Sequence, residues 1–250
     1  MGFTSVDINN DIAVVTMSRG KVHPINAEAL VDLRDCFAEL RDNKKVAAVV
    51  LTGSGKFFSF GFDVPELLTY SRDEFKHFLV DFNRLLNDLF LFPKPLIAAI
   101  NGHAVAGGCM LALTTDYRIM VEEKARMSLN EINIGASVFA GPVEMLRFGV
   151  GSRKAELVLT SGQMYEPKEA MAMGLVDKLS ARDNLMPEAM ETVNTYAAKN
   201  AEAFRSIKHL LRKPVVDSYL AREEASIDEF IDIWLSEESQ AQLRQVEIRR

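Results

Sequence analysis

Cysteine, histidine and basic charge are all scarce in this 250-residue chain, and each scarcity excludes a class of protein. Two cysteines, Cys36 and Cys109, stand far apart with no metal-type spacing, which excludes a disulfide framework and fits a reducing compartment. The four histidines, His23, His77, His103 and His209, form no ligating pattern, so no metal is expected. With 29 basic against 35 acidic residues the formal net charge is −6, which leaves no general electrostatic footprint for nucleic acid. No apolar run approaches the roughly 18–20 residues that cross a bilayer, and Met1 to Thr4 lack the basic and apolar regions of a signal peptide. Ile248-Arg249-Arg250 is not a peroxisomal tripeptide. The expectation is a cytoplasmic protein with neither a membrane nor a nucleic-acid partner. No internal repeat, linker or low-complexity segment is visible.

What is present is ordinary globular material, 48% hydrophobic and 26% charged, enough for one sizeable core. Phe3 to Met17 alternates and breaks at Asn9-Asn10-Asp11, which predicts two strands and a tight turn. Asn26 predicts a helix cap, followed by Leu30, Leu33, Phe37 and Leu40 at helical spacing. Val46 to Thr52 reads as a strand buried on both faces. In SFGFDVPEL, Gly61 permits a sharp turn and Asp63 caps a short helix. Arg72 to Phe92 carries an apolar stripe of helical period. Gly53-Ser54-Gly55-Lys56 lacks the spacing of a phosphate loop, and a nucleoside triphosphate site is rejected.

The central stretch is Leu96 to Ile100, a strand-length apolar run, then the small-residue loop Asn101 to Ala106, then Gly107-Gly108 opening a buried helix. Free N–H groups at a helix start carry the positive end of its dipole, and glycine gives a ligand access to them. The pair therefore serves either close packing or the binding of an oxygen that gains charge. Cys109 follows at the same helix start, where a thiol pKa can be lowered, or it is a small buried hydrophobe. His103 either touches this site or is structural. Glu131, between Leu129 and Ile132, is the acid that stands out. In apolar surroundings its pKa rises, which suits a base that takes and returns a proton. The alternative is a rim glutamate paired with Arg126 or Arg147. Pro142 reads as a first helical position, and from Arg153 onward helices are expected, among them Ala203 to Arg212 and Pro214 to Leu235. Ile227, Phe230, Ile231 and Trp234 give the last one a face that covers either its own core or a neighbouring subunit. The charged tail Arg244 to Arg250 reads as frayed.

The stretches LTGSGKFFSFGFD, KPLIAAINGHAVAGGCMLALTTDYRI and RMSLNEINIG, followed by LTSGQMYEPKEAMAMGLVDKL, occur in an order and spacing that resemble the enoyl-CoA hydratase/isomerase (crotonase) superfamily. The resemblance implies an α/β fold, a spiral of repeated β-β-α units over 1–195 and a C-terminal helical region over 196–250 used in trimer contacts. It implies a homotrimer or dimer of trimers, an acyl-CoA thioester substrate and no cofactor beyond the coenzyme A of that substrate. It further implies an oxyanion hole made by the N–H groups of Phe62 and Gly107, with CoA along Lys21-Val22 and along Lys56 to Phe60, Phe58 included. Hydratases of the family place one glutamate directly after the cysteine of a GGGCE-like stretch and a second in a PE dipeptide. Here Met110 fills the first position and Glu131 the second. One carboxyl group suffices to move a double bond, so the resemblance points to the 3-enoyl-CoA to 2-enoyl-CoA isomerases, with Phe62, Met110, Ile134 and Phe139 shaping a dry acyl pocket. The segment ASVFAG departs from the family's usual proline and glycines. That departure leaves a hydratase, hydrolase or C–C lyase as the alternative, with Glu144 as its additional acid, or else a silent CoA-binding subunit.

Overall fold

A computed structural model describes residues 2–247, so Ile248-Arg249-Arg250 of the tail expected to fray lie outside the described residues, while its first part is ordered by the Arg244, Gln245 and Val246 N–H groups donating to the Gln240, Gln242 and Leu243 carbonyls. The alternating first stretch forms the expected hairpin. β1 (Thr4–Asn9) and β2 (Ile12–Met17) pair antiparallel, and Asn10 turns between them at φ 57, a left-handed conformation that asparagine tolerates. α1 (Ala27–Asp42) follows, capped by Asn26, whose side chain accepts from the Ala29 N–H.

The chain then walks the same path three times. The first unit is β3 (Ala48–Gly53), β4 (Phe57–Ser59), α2 (Val64–Leu67) and α3 (Arg72–Phe90). The second is β5 (Leu96–Ile100), β6 (His103–Val105) and α4 (Gly107–Leu113). The third is β7 (Tyr117–Val121), β8 (Met127–Ser128), a 3-10 turn at Glu131–Ile134 and α5 (Ala140–Val150). The leading strand of each unit joins a six-stranded sheet of order β1-β2-β3-β5-β7-β9, whose last strand is β9 (Lys178–Ser180). The second strand of each unit joins a small sheet of order β4-β6-β8. All pairings except β1 with β2 are parallel. Every residue of β3 and β5 is buried, the reason their apolar runs do not alternate. The repetition lies in the path and not in recurring residues.

The remaining helices are α6 (Ser152–Ser161), α7 (Pro167–Met173), α8 (Leu185–Ala197), α9 (Ala201–Leu235) and α10 (Glu237–Leu243). None among the described residues is long and apolar enough to cross a membrane. Two expectations need correction. Pro142 occupies the third position of α5, since the helix begins at Ala140. Ala203 to Arg212 and Pro214 to Leu235 are not two helices but one, with Pro214 inside it.

An interior proline costs a helix about 3 kcal/mol, so each half of α9 needs anchoring of its own, the first of them before Pro214. The structure shows a buried charge cluster one turn before it. Lys208 Nζ lies 2.8 Å from Asp116 Oδ2, and Arg212 Nη2 lies 2.9 Å from Asp116 Oδ1, all three side chains less than a tenth exposed. Arg212 also donates to the carbonyls of Phe90, Thr114 and Thr115, while Asp116 accepts the Leu96 N–H. Asp116→Ala would leave two buried cations without their anion, for which a loss of about 3–5 kcal/mol is expected in urea unfolding. A loss below about 1 kcal/mol, the range of an exposed pair, would show that the cluster does not anchor α9.

Candidate active site

Each of the three units ends at one place. In the small sheet Ser59 pairs with Ala104, and Val105 pairs with Ser128, so the segments leaving β4, β6 and β8 emerge side by side. The first carries Gly61-Phe62, the second Ala106-Gly107 and the third Asn130-Glu131. Gly61 adopts φ +84, and a Cβ there would lie 2.7 Å from the Gly107 nitrogen and 2.9 Å from the Val105 oxygen. Only glycine allows the first two turns to touch in this way. Ala106, between β6 and α4, holds φ 49, a strained value for alanine of the kind that persists where surrounding contacts over-determine it. The two readings of the glycine pair divide between its members. A Cβ on Gly108 would lie 2.3 Å from the Ser59 oxygen, so Gly108 serves packing, while the Gly107 amide remains free.

Phe62 forms a parallel bridge with Ile25. The Ile25 N–H donates to the Gly61 carbonyl at 2.7 Å, and the Asp63 N–H donates to the Ile25 carbonyl at 2.9 Å. In that pattern the N–H of Phe62 itself points away from the ladder. Among the described residues neither the Phe62 nor the Gly107 N–H has a hydrogen-bond partner. Two amides on touching turns are thus left to a ligand.

Glu131 is 6% exposed, and neither carboxyl oxygen has a partner. Burial pushes its pKa up to about 8, with only a backbone N–H opposing the rise. The pairings considered from the sequence are not formed. Arg126 binds Glu166 at 2.7 Å, and Arg147 binds Glu144 at 3.0 Å. The 3-10 turn bearing Glu131 is tied down by other groups: the Ala136 N–H donates to the Glu131 carbonyl, the Asn133 side-chain Nδ2 to the Gly162 carbonyl, and Ser239 Oγ to the Gly135 carbonyl at 2.5 Å.

The carboxyl group faces a cavity of about 190 Å³. Phe60, Phe62, Met110 and Ile134 line it, as do Val105, Ala106, Asn130 and Ala136. Phe230 and Trp234 of α9 form its far wall, and Val246 and the exposed Glu247 its rim. The apolar face near the C-terminus therefore covers this chain's own cavity. A larger cavity of about 500 Å³ opens on the other face of the segment following Glu131 and shares Ala136 with the first. Its one carboxylate, Glu238, is exposed, and neither Phe62 nor Gly107 lines it, so the smaller cavity is the candidate site.

Other expected residues fall elsewhere. Lys21 and Lys56 are exposed, and the Phe60 N–H donates to the Val22 carbonyl at 3.0 Å, so the segments 21–22 and 56–60 run together beside the cavity mouth. The Phe58 side chain does not reach them, because its place in β4 points it into the core with no exposure. Phe139 is likewise fully buried and supports the wall from behind, its ring 5.9 Å from that of Phe230. Glu144 does not enter the cavity but bridges Arg147 and Arg222. Burial raises the Cys109 thiol pKa, which leaves it an inert hydrophobe. His103 stacks on Phe57 outside the cavity, and burial lowers its pKa. Phe230 and Trp234 are cavity residues that the motifs do not point to. Their one signal was the unassigned apolar face of the last long helix.

Two free amides on touching turns, beside an apolar cavity that Phe62 and the unpaired buried carboxyl of Glu131 line, make a candidate site for polarising a carbonyl and moving a proton. The family model described as enoyl-CoA hydratase/isomerase matches residues 7–249. A short-chain-enoyl-CoA hydratase of Clostridium acetobutylicum is 31% identical over 223 residues, 87% of this chain and 85% of the relative. The mitochondrial enoyl-CoA delta isomerase 1 of Mus musculus is 28% identical over 88% of this chain and 76% of the relative. The crystal structure of human mitochondrial delta3-delta2-enoyl-CoA isomerase superposes with a TM-score of 0.92 at 26% identity, covering 97% of this chain and 95% of that one. The chain belongs to the enoyl-CoA hydratase/isomerase family, with the crotonase-type α/β fold of β-β-α units followed by helices. It is an acyl-CoA enzyme of that family, and its relatives carry both hydratase and isomerase names.

If the two glycine turns must touch, Gly61→Ala is strained twice, by its φ and by the Gly107 nitrogen. A stability loss above about 1 kcal/mol is expected in urea unfolding. An unchanged midpoint would contradict the close approach.

Proposed function

We propose that the enzyme moves the double bond of a 3-enoyl-CoA to the 2-position, with Glu131 as its single base. The supporting observation is that Glu131 is the one buried carboxyl of the cavity, while Met110, where family hydratases carry their other glutamate, lines the same cavity with a thioether. Hydration asks for a base on water and an acid at the α-carbon, and a methionine supplies neither. Isomerisation asks for one group that takes a proton from C2 and returns it at C4.

In this reading the thioester oxygen sits between the Phe62 and Gly107 N–H groups, and CoA lies along Lys21-Val22 and Lys56 to Phe60. Loss of the C2 proton to Glu131 places negative charge on that oxygen, where each donor contributes about 2.7–4 kcal/mol to transition-state stabilisation. The C2–H bond breaks, the conjugated dienolate forms, and the proton held by Glu131 then bonds to C4 as the 2,3 double bond closes. Phe62, Met110, Ile134, Phe230 and Trp234 keep water from the intermediate. The homotrimer is proposed to form on the outward face of α9, where Ile207, Leu210 and Leu211 are 59–71% exposed.

The test is the growth of conjugated-thioester absorbance from a medium-length 3-enoyl-CoA, run beside hydration of the 2-enoyl-CoA. The wild type is expected to isomerise without hydrating, and Glu131→Gln to lose about 10²–10⁴-fold in kcat. Near-normal turnover in the variant, or hydration as the main wild-type activity, would overturn the reading.

Because the base must be ionised and its pKa is raised to about 8, kcat/KM of the wild type should climb with pH and level off above about pH 8. Stability moves the other way. The folded state holds this proton up to about pH 8 whereas the unfolded state releases it near the ordinary glutamate value of 4.5, so raising the pH through that window removes stability from the wild type. Glu131→Gln has no such proton, and its Tm advantage over wild type should widen from pH 5 to pH 8. A constant Tm difference would contradict the raised pKa.

A further inference from the structure

We propose that His23 is a positioning residue for the Phe62 amide, an inference that rests on the reading of that amide as a thioester donor. His23 is 1% exposed and holds φ 52, a left-handed conformation unusual for a side chain of its size. It does not line the cavity, so any effect it has on the reaction passes through other residues.

Every polar group of His23 is used: two of its bonds close a turn with Arg19, and the others reach Ser54 and Ser59 on the segment that leads to Phe62. The Arg19 N–H donates to Nδ1 at 3.1 Å, which makes Nδ1 the acceptor and assigns the proton to Nε2. Nε2–H then donates to the Ser54 carbonyl at 2.8 Å. The His23 N–H donates back to the Arg19 carbonyl at 3.0 Å and closes the turn. The His23 carbonyl accepts from Ser59 Oγ at 2.9 Å, and Ser59 Oγ accepts from the Gly61 N–H at 3.1 Å. On either side, Val22 and Ile25 pair with Phe60, Gly61 and Asp63, and the Arg19 guanidinium binds the fully buried Asp63 carboxylate at 2.7 Å. The imidazole thus bolts the 19–25 turn to the Ser54 loop, and that turn is the edge on which residues 59–63 are laid down.

Such a strained conformation persists only where neighbours over-determine it, and here they do so beside a donor whose direction matters. An amide displaced by a fraction of an ångström still binds a neutral carbonyl, but stabilises a charged oxygen less. Loosening His23 should therefore lower kcat more than it raises KM.

The experiment uses the full-length enzyme with His23→Ala, His23→Asn and His23→Gln. It reads kcat, KM and the infrared stretch of a saturated acyl-CoA carrying ¹³C at its thioester carbonyl, free and bound. Wild type is expected to shift the bound carbonyl to lower wavenumber. His23→Ala should lose at least half of that shift and about tenfold in kcat, with KM changed less than threefold. His23→Asn restores an acceptor for Arg19 and tolerates positive φ, whereas His23→Gln restores only the reach to Ser54. Both should fall between Ala and wild type, and they carry the comparison if the alanine variant does not fold. A variant set that keeps the wild-type carbonyl shift and kcat, whatever happens to Tm, overturns the role of His23 alone. A wild-type enzyme that leaves the carbonyl stretch unmoved overturns the thioester reading and this inference with it.

Discussion

The parallel register of the small sheet is the constraint on which the rest depends. Neighbouring strands lie about 4.8 Å apart, so segments that leave β4, β6 and β8 at matching heights start within reach of one small molecule. The first two turn sharply at Gly61 and Ala106 and leave an amide free, and the third enters a 3-10 turn that begins with Glu131. Moving the register of one strand by a single residue would turn its side chains to the other face and separate the three groups. The large sheet does no chemistry. It carries the leading strand of each unit and so sets the spacing of the small one.

Glu131 shows what the surroundings contribute once the groups are placed. Its carboxyl is buried without a hydrogen-bond partner, an arrangement that costs stability and that a structural glutamate would avoid by pairing. Arg126 and Arg147 are close in sequence but committed to Glu166 and Glu144. The result is a carboxyl that holds its proton to about pH 8, close in affinity to what a reversible proton carrier needs at neutral pH. Hydrogen bonds from the Ala136 N–H, Asn133 Nδ2 and Ser239 Oγ fix the turn without touching the carboxyl, so position is set separately from protonation.

Local patterns made much of this legible in the sequence. The caps at Asn26 and Asp63, the stripes of α1 and α3 and the glycine turns all depend on residues a few positions apart, and each is found where the pattern puts it. What was not legible depends on distant partners. Pro214 reads as a helix stop, yet α9 runs through it with each half tied to a distant element, Lys208 and Arg212 to Asp116 before it and Asp228 and Asp232 to Lys76 and Arg72 after it. Phe58 and Phe139 sit in motifs beside true cavity residues, and only the facing of a strand and a helix start turns them inward. Trp234 and Phe230 reach the cavity because α9 folds back over α3 and α5, a packing choice that periodicity does not encode.

In the proposed reaction one carboxyl in a dry cavity carries one proton from C2 to C4. That transfer is tested most directly by following the label when a 3-enoyl-CoA deuterated at C2 is isomerised in ordinary water. A substantial fraction of the product should carry deuterium at C4, because the proton on Glu131 is sheltered from solvent between the two steps. Product entirely free of deuterium at C4, or a 3-hydroxyacyl-CoA in its place, would contradict it.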